Sequence, residues 1–182
     1  MLRPEEQADR VFTEYHRTHR RAAAEQDTDA PAFHLPTAGE RYPRSSWPAL
    51  EAAAWARATD PRRFPAFDAG LFEAFFGRSE DVSDPAVLVR LAEAAGLDAA
   101  GLSAALADRR YQPQVRDEHL EAVGLGIQGI PAFLIPGQPP IVGAVPYAAL
   151  VEAVDRALGI AGAEGEGSSK PPGVIQEGTA YL

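Results

Sequence analysis

The side chains that most often carry out protein chemistry are scarce in this sequence. The 182 residues include no cysteine and four histidines, so the chain itself offers no thiol nucleophile, no thiolate metal ligand and no disulfide. His16 and His19 stand three residues apart, near Glu14, a spacing that can present two metal ligands on one helical face. Three arginines crowd the same region: Arg17, Arg20 and Arg21. Their charge favours the other interpretation, a cationic helix end that complements the helix dipole without any ligand.

The remaining histidines and serines form no catalytic constellation. His34 and His119 each stand alone, which is typical of surface or satisfied core residues. Ser45, Ser46 and Ser103 lack both a Gly-X-Ser-X-Gly elbow and an identifiable base, so we interpret them as helix caps and helix surface. The sequence therefore predicts no catalytic residue, no metal site and no cofactor site in this chain.

The net charge limits the classes of partner. The formal charge is -9 and the sequence pI is about 4.9, whereas nucleic acids and anionic membranes require a cationic surface. No stretch of eighteen apolar residues is present, and the first residues, from Met1 to Glu6, contain no apolar signal region. We expect no nucleic-acid partner, no membrane partner and a cytoplasmic location.

Prolines near the first turns of helices divide the middle of the chain. Pro48, Pro61 and Pro85 each follow Ser or Asp residues that can cap a helix. Proline is tolerated there because its missing N–H has no helical partner. Asp98 and Pro113 predict two more helix starts, the latter helix running to about Gly124.

Two further patterns concern the helical part. Apolar residues at helical spacing predict an amphipathic helix over residues 4–26, and a density of breakers predicts an irregular connector over residues 27–44. Aromatic and leucine side chains recur at helical spacing from Phe64 to Phe76. This stripe predicts core packing, with the lining of a ligand pocket as the alternative.

The pattern changes after residue 128. Ala132–Ile135 and Pro140–Gly143 are short apolar runs separated by a Pro-Gly turn, which predicts a β-hairpin. Pro146–Leu158 predicts a closing amphipathic helix, and residues 159–182, rich in Gly, Glu, Ser and Pro, predict a flexible tail. Three glycines lack the strand-turn-helix setting of a dinucleotide-binding loop and predict a helix end: Gly124, Gly126 and Gly129.

The end of the sequence resembles the C-terminal half of DsbA-like thioredoxin-fold proteins. The similar residues are Gly129-Ile130-Pro131-Ala132-Phe133-Leu134-Ile135, a hairpin turn, Ile141-Val142-Gly143-Ala144, and a helix opening with Pro146-Tyr147. Three earlier segments are similar to the helical insertion of the cytoplasmic branch of that family: Ser45–Ala53, Phe67–Phe76 and Asp81–Leu88. That branch contains polyketide-associated dithiol oxidoreductases and, more distantly, 2-hydroxychromene-2-carboxylate isomerases and kappa-class glutathione transferases.

The resemblance implies a helix-rich α/β protein with a partial thioredoxin-like fold. The helical insertion and the helices that follow it would occupy residues 4–128. A C-terminal β-β-α unit would occupy residues 129–158, and the tail residues 159–182.

The N-terminus departs from the family pattern. A complete member opens with a strand, a Cys-X-X-Cys helix and a second strand, whereas residues 4–26 resemble the first helix of the insertion. A two-stranded hairpin is marginal by itself, so Phe133, Ile135 and Val142 require other cover. We expect that cover from a repacked helical layer, from a second copy or partner chain, or from a segment upstream of a wrongly assigned start codon.

Ile130 and Pro131 are the substrate-binding residues that the resemblance implies. The proline of the family follows a cis peptide bond, and the residue before it offers its backbone N–H and C=O to an extended peptide or to glutathione. The alternative is a trans proline that begins a strand, where the missing donor is harmless.

Three functions follow from the resemblance and the missing cysteines. The first is a protein-disulfide oxidoreductase by descent, without dithiol activity of its own. The second is a redox-inactive module that binds a peptide or partner chain at the Pro131 loop, and the third is a relative of the glutathione-dependent isomerases and transferases.

Overall fold

The computed structural model describes residues 10–26, 33–37, 39–143 and 145–160. The described residues form two compact units, residues 10–117 and residues 118–160. In chain order the elements before the boundary are β1 (Arg10–Val11), α1 (Glu14–Gln26), β2 (Arg41–Tyr42), α2 (Trp47–Thr59), α3 (Phe64–Phe72), a π-helical turn (Glu73–Gly77), α4 (Pro85–Ala94) and α5 (Ala99–Ala107). α6 (Gln112–Gly124) crosses the boundary, and β3 (Ala132–Phe133), β4 (Ile141–Val142) and α7 (Tyr147–Leu158) complete the second unit.

The first unit begins with a short sheet that the sequence does not predict. β1 pairs with β2 in antiparallel fashion, with Arg10 opposite Tyr42, and the Phe12 N–H donates to the Glu40 carbonyl at 2.7 Å. The helix predicted from residue 4 was therefore wrong for residues 10–13, and the connector predicted over 27–44 contains a strand; residues 4–9 lie outside the described residues. The physical reason is distance along the chain, because each two-residue strand is stabilised only by a partner about thirty residues away.

Side-chain caps are found at two of the predicted helix starts, those of α4 and α5, whereas the Ser46 side chain makes no cap hydrogen bond at the start of α2. The Asp84 carboxylate accepts from the Ala86 N–H at 2.9 Å, and the Asp98 carboxylate accepts from the Gly101 N–H at 3.0 Å. These bonds satisfy N–H groups that have no partner within a helix. The start predicted at Pro61 was wrong by three residues, because Asp60 caps a turn there and α3 begins at Phe64.

α2, α3, α4 and α5 enclose the main hydrophobic core. Three of its side chains are completely buried, Phe67 from α3, Leu88 from α4 and Leu102 from α5, and they pack with alanines and Trp55 of α2. The small alanine side chains let the helices approach closely, so the large residues of the neighbouring helices fill the space between them. This core lies entirely within the first unit.

The aromatic stripe is divided between core and surface. Phe67 and Leu71 are buried, whereas 60% of Phe72 is exposed. Phe72 follows Phe67 by five residues, about 140° around an α-helix, so it lies away from the face that Phe67 and Leu71 share. The prediction of core packing is therefore confirmed for one side of the stripe and wrong for Phe72, which stacks on Phe76 at 6.2 Å between ring centroids.

The second unit is a hairpin followed by a helix. Ala132 pairs with Val142 and Phe133 with Ile141, as the two apolar runs predict, although each strand is only two residues long. Gln138 of the hairpin turn donates through Nε2 to the Ala153 carbonyl of α7 at 2.5 Å. No helix among the described residues has the length and apolar character needed to cross a membrane.

Candidate functional site

The Pro131 loop joins α6 to the first strand of the hairpin. Leu125, Gly126 and Ile127 donate their N–H groups to carbonyls of the last turn of α6, with Gly126 at φ +78. Glycine is the residue favoured at a helix end with this φ. The helix end predicted at the glycines is therefore confirmed. The Ile130–Pro131 peptide bond that follows is cis, which is the geometry that the resemblance implies.

The backbone around Pro131 is held from one side by the hairpin. The Pro131 carbonyl accepts from the Gly143 N–H at 2.8 Å. A side chain at position 129 would approach Val142 Cγ1 to 3.4 Å, so glycine allows the loop to lie close to β4. These two contacts hold the loop at the end of the β3–β4 ladder.

Ile130 presents the open side of the loop. Its side chain is 69% exposed, and among the described residues no backbone hydrogen bond to its N–H or C=O is found. A donor and an acceptor that have no partner among the described residues, beside the end of a ladder, are groups through which an extended peptide can add to a hairpin. The structure thus leaves accessible both residues that the sequence singles out, Ile130 and Pro131.

The loop lies within a long uncharged stretch of the chain. From residue 122 to residue 151 the sequence has no Asp, Glu, Lys, Arg or His. General acid–base catalysis and ion pairing with a ligand both require such groups. The residues of the loop itself therefore offer backbone hydrogen bonding and apolar contact. This feature is readable in the sequence, although motif spacing did not reveal it.

Exposed apolar side chains are concentrated in the second unit. Among the described residues fifteen large apolar side chains are exposed, and eleven of them lie in residues 118–160. Val142 is exposed, and Phe133 and Ile135 are only partly buried. The sequence predicts that other residues must cover Phe133, Ile135 and Val142. Among the described residues their burial is incomplete.

The histidines are engaged locally. His16 Nδ1 accepts from the Thr13 N–H at 3.0 Å at the start of α1, and His19 Nδ1 lies 2.8 Å from the Tyr15 carbonyl. In the part of the chain that the structure describes, no three His, Cys, Asp or Glu residues are placed to hold a metal ion. His34 belongs to the first unit and His119 to the second.

The serines occupy positions at helix starts and surfaces. The Ser45 hydroxyl accepts from the Trp47 N–H at 3.1 Å, and Ser46 stands at the start of α2. Ser103 is exposed on α5. The interpretation as caps and helix surface is confirmed for Ser45 and Ser103, whereas the Ser46 side chain makes no cap hydrogen bond.

Arg20 is the residue whose environment the sequence predicts least well. The interpretation as a cationic helix end was wrong, because α1 continues to Gln26 with no basic residue in its last turn, and Arg20 is only 6% exposed. Its guanidinium donates to the carbonyls of His34 and Phe75 and to the Ser79 hydroxyl, and burial lowers its pKa. The rings of Phe12, Phe75 and Phe76 face the same guanidinium at 4.8 to 5.3 Å. The residue therefore has a structural role in the first unit.

Comparison with known proteins gives the family. A solved structure of a probable DsbA oxidoreductase from Streptomyces coelicolor matches with a TM-score of 0.66 and 26% sequence identity, over 89% of this chain. The chain spans 65% of the length of that protein. No curated protein sequence matches. The family model of the DsbA-like thioredoxin domain matches residues 12–155, so the chain belongs to the DsbA-like thioredoxin domain family.

Proposed function

We propose that this chain is a protein-disulfide oxidoreductase by descent, whose own residues supply a peptide-binding loop but no dithiol chemistry. The exposed, uncharged loop at Ile130 and Pro131 carries the proposal, because it offers free backbone groups at the end of a ladder. The family membership supports the redox ancestry. The absence of cysteine from the chain limits what it can do alone.

Thiol–disulfide exchange sets a strict chemical requirement. A thiolate attacks a disulfide sulfur and forms a mixed disulfide, from which a second thiol releases the product. No residue of this chain can take either part. Oxidoreductase turnover therefore needs a thiol that another segment or chain contributes.

We expect the purified chain to show no turnover in insulin reduction or in a glutathione-coupled assay, at any pH. Fusion of a strand, a Cys-X-X-Cys helix and a strand from a DsbA-like relative to its N-terminus should restore measurable turnover. The reason is that the added segment would supply the thiolate while this chain supplies the loop. Both proteins are compared in the same assay at equal concentration.

The control fusion carries Ser-X-X-Ser in the added segment and should be inactive. Turnover by the unfused chain, after contaminating thioredoxins are removed, would contradict the first expectation. A folded Cys-X-X-Cys fusion with no more turnover than the serine control would contradict the redox ancestry of the loop and favour the second function.

The second candidate is a redox-inactive module that binds an extended peptide or a partner chain. The exposed apolar side chains of residues 118–160 favour it, because surface of this kind usually marks an interaction site. A second copy of the chain is a further candidate partner for the hairpin. The glutathione-dependent function has no separate observation in its favour. The cytoplasmic location stays a prediction, which cell fractionation tests.

Strand addition at Ile130 predicts that an uncharged, cysteine-free extended peptide perturbs the amide NMR signals of Gly129, Ile130, Ala132 and Phe133. Methylation of the peptide nitrogen that pairs with the loop should weaken binding about tenfold or more, since it removes a backbone hydrogen bond and crowds its neighbour. Ile130→Ala should weaken binding through lost apolar contact. Leu134→Ala, which also removes an exposed apolar side chain, is the matched control.

Equal affinity for the methylated and unmethylated peptides would contradict strand addition at this loop. Equal weakening by Ile130→Ala and Leu134→Ala would place the peptide elsewhere on the hairpin. Perturbation by reduced glutathione alone, at the same amides, would instead support the glutathione-dependent function.

A further inference from the structure

Gln138 connects the turn of the β3–β4 hairpin to the second half of α7. Its Nε2 donates to the Ala153 carbonyl at 2.5 Å, and its Oε1 accepts from Arg156 Nη1 at 3.4 Å. Ala153 is the one buried residue of α7. Among the described residues, these two bonds are the side-chain hydrogen bonds found between the hairpin and this helix. Both ends of the Gln138 amide are therefore engaged with α7.

The turn that carries Gln138 is closed by its own backbone. The Gln138 N–H donates to the Ile135 carbonyl at 3.1 Å, across Pro136 and Gly137. Gly137 has φ +76, and proline followed by a residue at positive φ is typical of a type II turn. The backbone of the turn therefore has little freedom, so a restraint on the Gln138 side chain also restrains the strands that enter and leave the turn.

The other end of the same hairpin holds Pro131. β3 and β4 share only two residue pairs, and beyond them the Gly143 N–H donates to the Pro131 carbonyl at 2.8 Å. A two-stranded hairpin is marginal in water and gains stability when it packs against a helix. The bond from Gln138 to α7 thus gives a second fixed point to a hairpin whose ladder is very short.

We propose that Gln138 is a positioning residue for the Pro131 loop. It ties the hairpin turn to α7, and the restrained ladder holds the Gly143 N–H against the Pro131 carbonyl. A loop that is already held in place loses less conformational entropy when an extended peptide binds, so the restraint increases affinity. The effect on peptide affinity rests on the proposed function, whereas the restraint itself is a property of the free chain. In this role Gln138 does not touch the peptide.

Gln138→Met tests the role, because it keeps the length of the side chain and removes its hydrogen-bonding groups. In the full chain without peptide, we expect amide hydrogen exchange at Gly143 to be about fivefold faster than in the parent. This is the effect of losing one partly buried hydrogen bond. An uncharged extended peptide should bind the variant about threefold more weakly. Unchanged exchange at Leu88 and Leu102, in the main core, shows that the variant folds.

Gln128→Met is the matched control. It makes the same substitution at an exposed position, three residues before Pro131, and should leave exchange at Gly143 and peptide affinity unchanged. Equal acceleration of exchange by Gln128→Met and Gln138→Met would overturn the positioning role, because the bond to α7 would then have no particular effect.

The two measurements also separate this role from the proposed function. Faster exchange at Gly143 in Gln138→Met, together with a parent that binds no peptide, would support the positioning role and contradict the proposed function. Exchange at the parent rate in Gln138→Met would overturn the positioning role even where the parent binds peptide. Weaker peptide binding with exchange at the parent rate would also overturn it, since Gln138 would then contact the peptide directly.

Discussion

Arg20→Ala should lower the free energy of unfolding of the first unit by about 2–4 kcal/mol, because it leaves three partly buried hydrogen bonds without their donor. The His34 and Phe75 carbonyls and the Ser79 hydroxyl all lose a bond from the guanidinium. Three aromatic rings also lose their cationic neighbour. Alanine also removes the cost of holding the Arg20 charge away from water, and this offsets part of the loss in stability. Denaturant unfolding followed by tryptophan fluorescence measures the change.

The effect should concentrate at the end of the π-helical turn. The last carbonyls of a helix have no partner within it. Here three of these carbonyls accept a hydrogen bond from a residue outside the helix. Ala74 accepts from the Glu80 N–H at 2.9 Å, Phe75 from Arg20 at 3.0 Å and Phe76 from the His34 N–H at 2.9 Å. Removal of Arg20 breaks the middle bond of the three. Amide hydrogen exchange should therefore accelerate first at Glu80 and His34, whose N–H groups donate to the carbonyls on either side.

Two variants separate hydrogen bonding from packing and charge. Arg21→Ala removes the exposed arginine next in the chain and should change stability by less than about 0.5 kcal/mol. Arg20→Met keeps most of the volume against the rings but none of the donors. A methionine variant as stable as the parent would show that packing, and not hydrogen bonding, accounts for the role of Arg20.

Phe67→Ala should destabilise the same unit by about 3–5 kcal/mol, the range for removing a fully buried aromatic ring. Phe67 has no exposed surface and lies among α2, α3 and α4 residues of the main core. Alanine would leave a cavity whose apolar lining cannot collapse fully around it. Thermal and denaturant unfolding measure the loss.

Phe72→Ala is the control, because it deletes the same ring from the same helix at a position that is 60% exposed. It should cost less than about 1 kcal/mol. Similar losses at the two positions would contradict the assignment of Phe67 to the core and of Phe72 to the surface.

Local signals in the sequence were sufficient for most of the helices. Asp84 and Asp98 cap α4 and α5 as their types predict, and α7 ends at Gly159 with φ +67. Capping depends on residues within one turn of each other, so nearby sequence contains the information. The lack of thiol chemistry in this chain follows from composition alone. The motif around Pro131 was likewise sufficient to find the loop, because its residues are consecutive.

The sequence did not predict contacts between residues far apart in the chain. β1 and β2 are too short to show a period, and only their pairing makes them strands. Glu51 looks like an ordinary polar residue of a helix, yet it is 2% exposed and accepts from Arg109 Nε at 3.0 Å. The pairing of these two residues depends on how α2 and the turn after α5 pack, which no window of sequence contains.

Composition and local pattern thus determined the starts of α4 and α5, the hairpin and the absence of a thiol, since each depends on composition or on residues close together in the chain. Tertiary structure decided which charges are buried and which apolar side chains remain in water. Arg20 and Arg21 are adjacent and chemically identical, but one is buried against three aromatic rings and the other is exposed. Burial is a property of the elements packed around a residue, so only the fold could distinguish the two arginines.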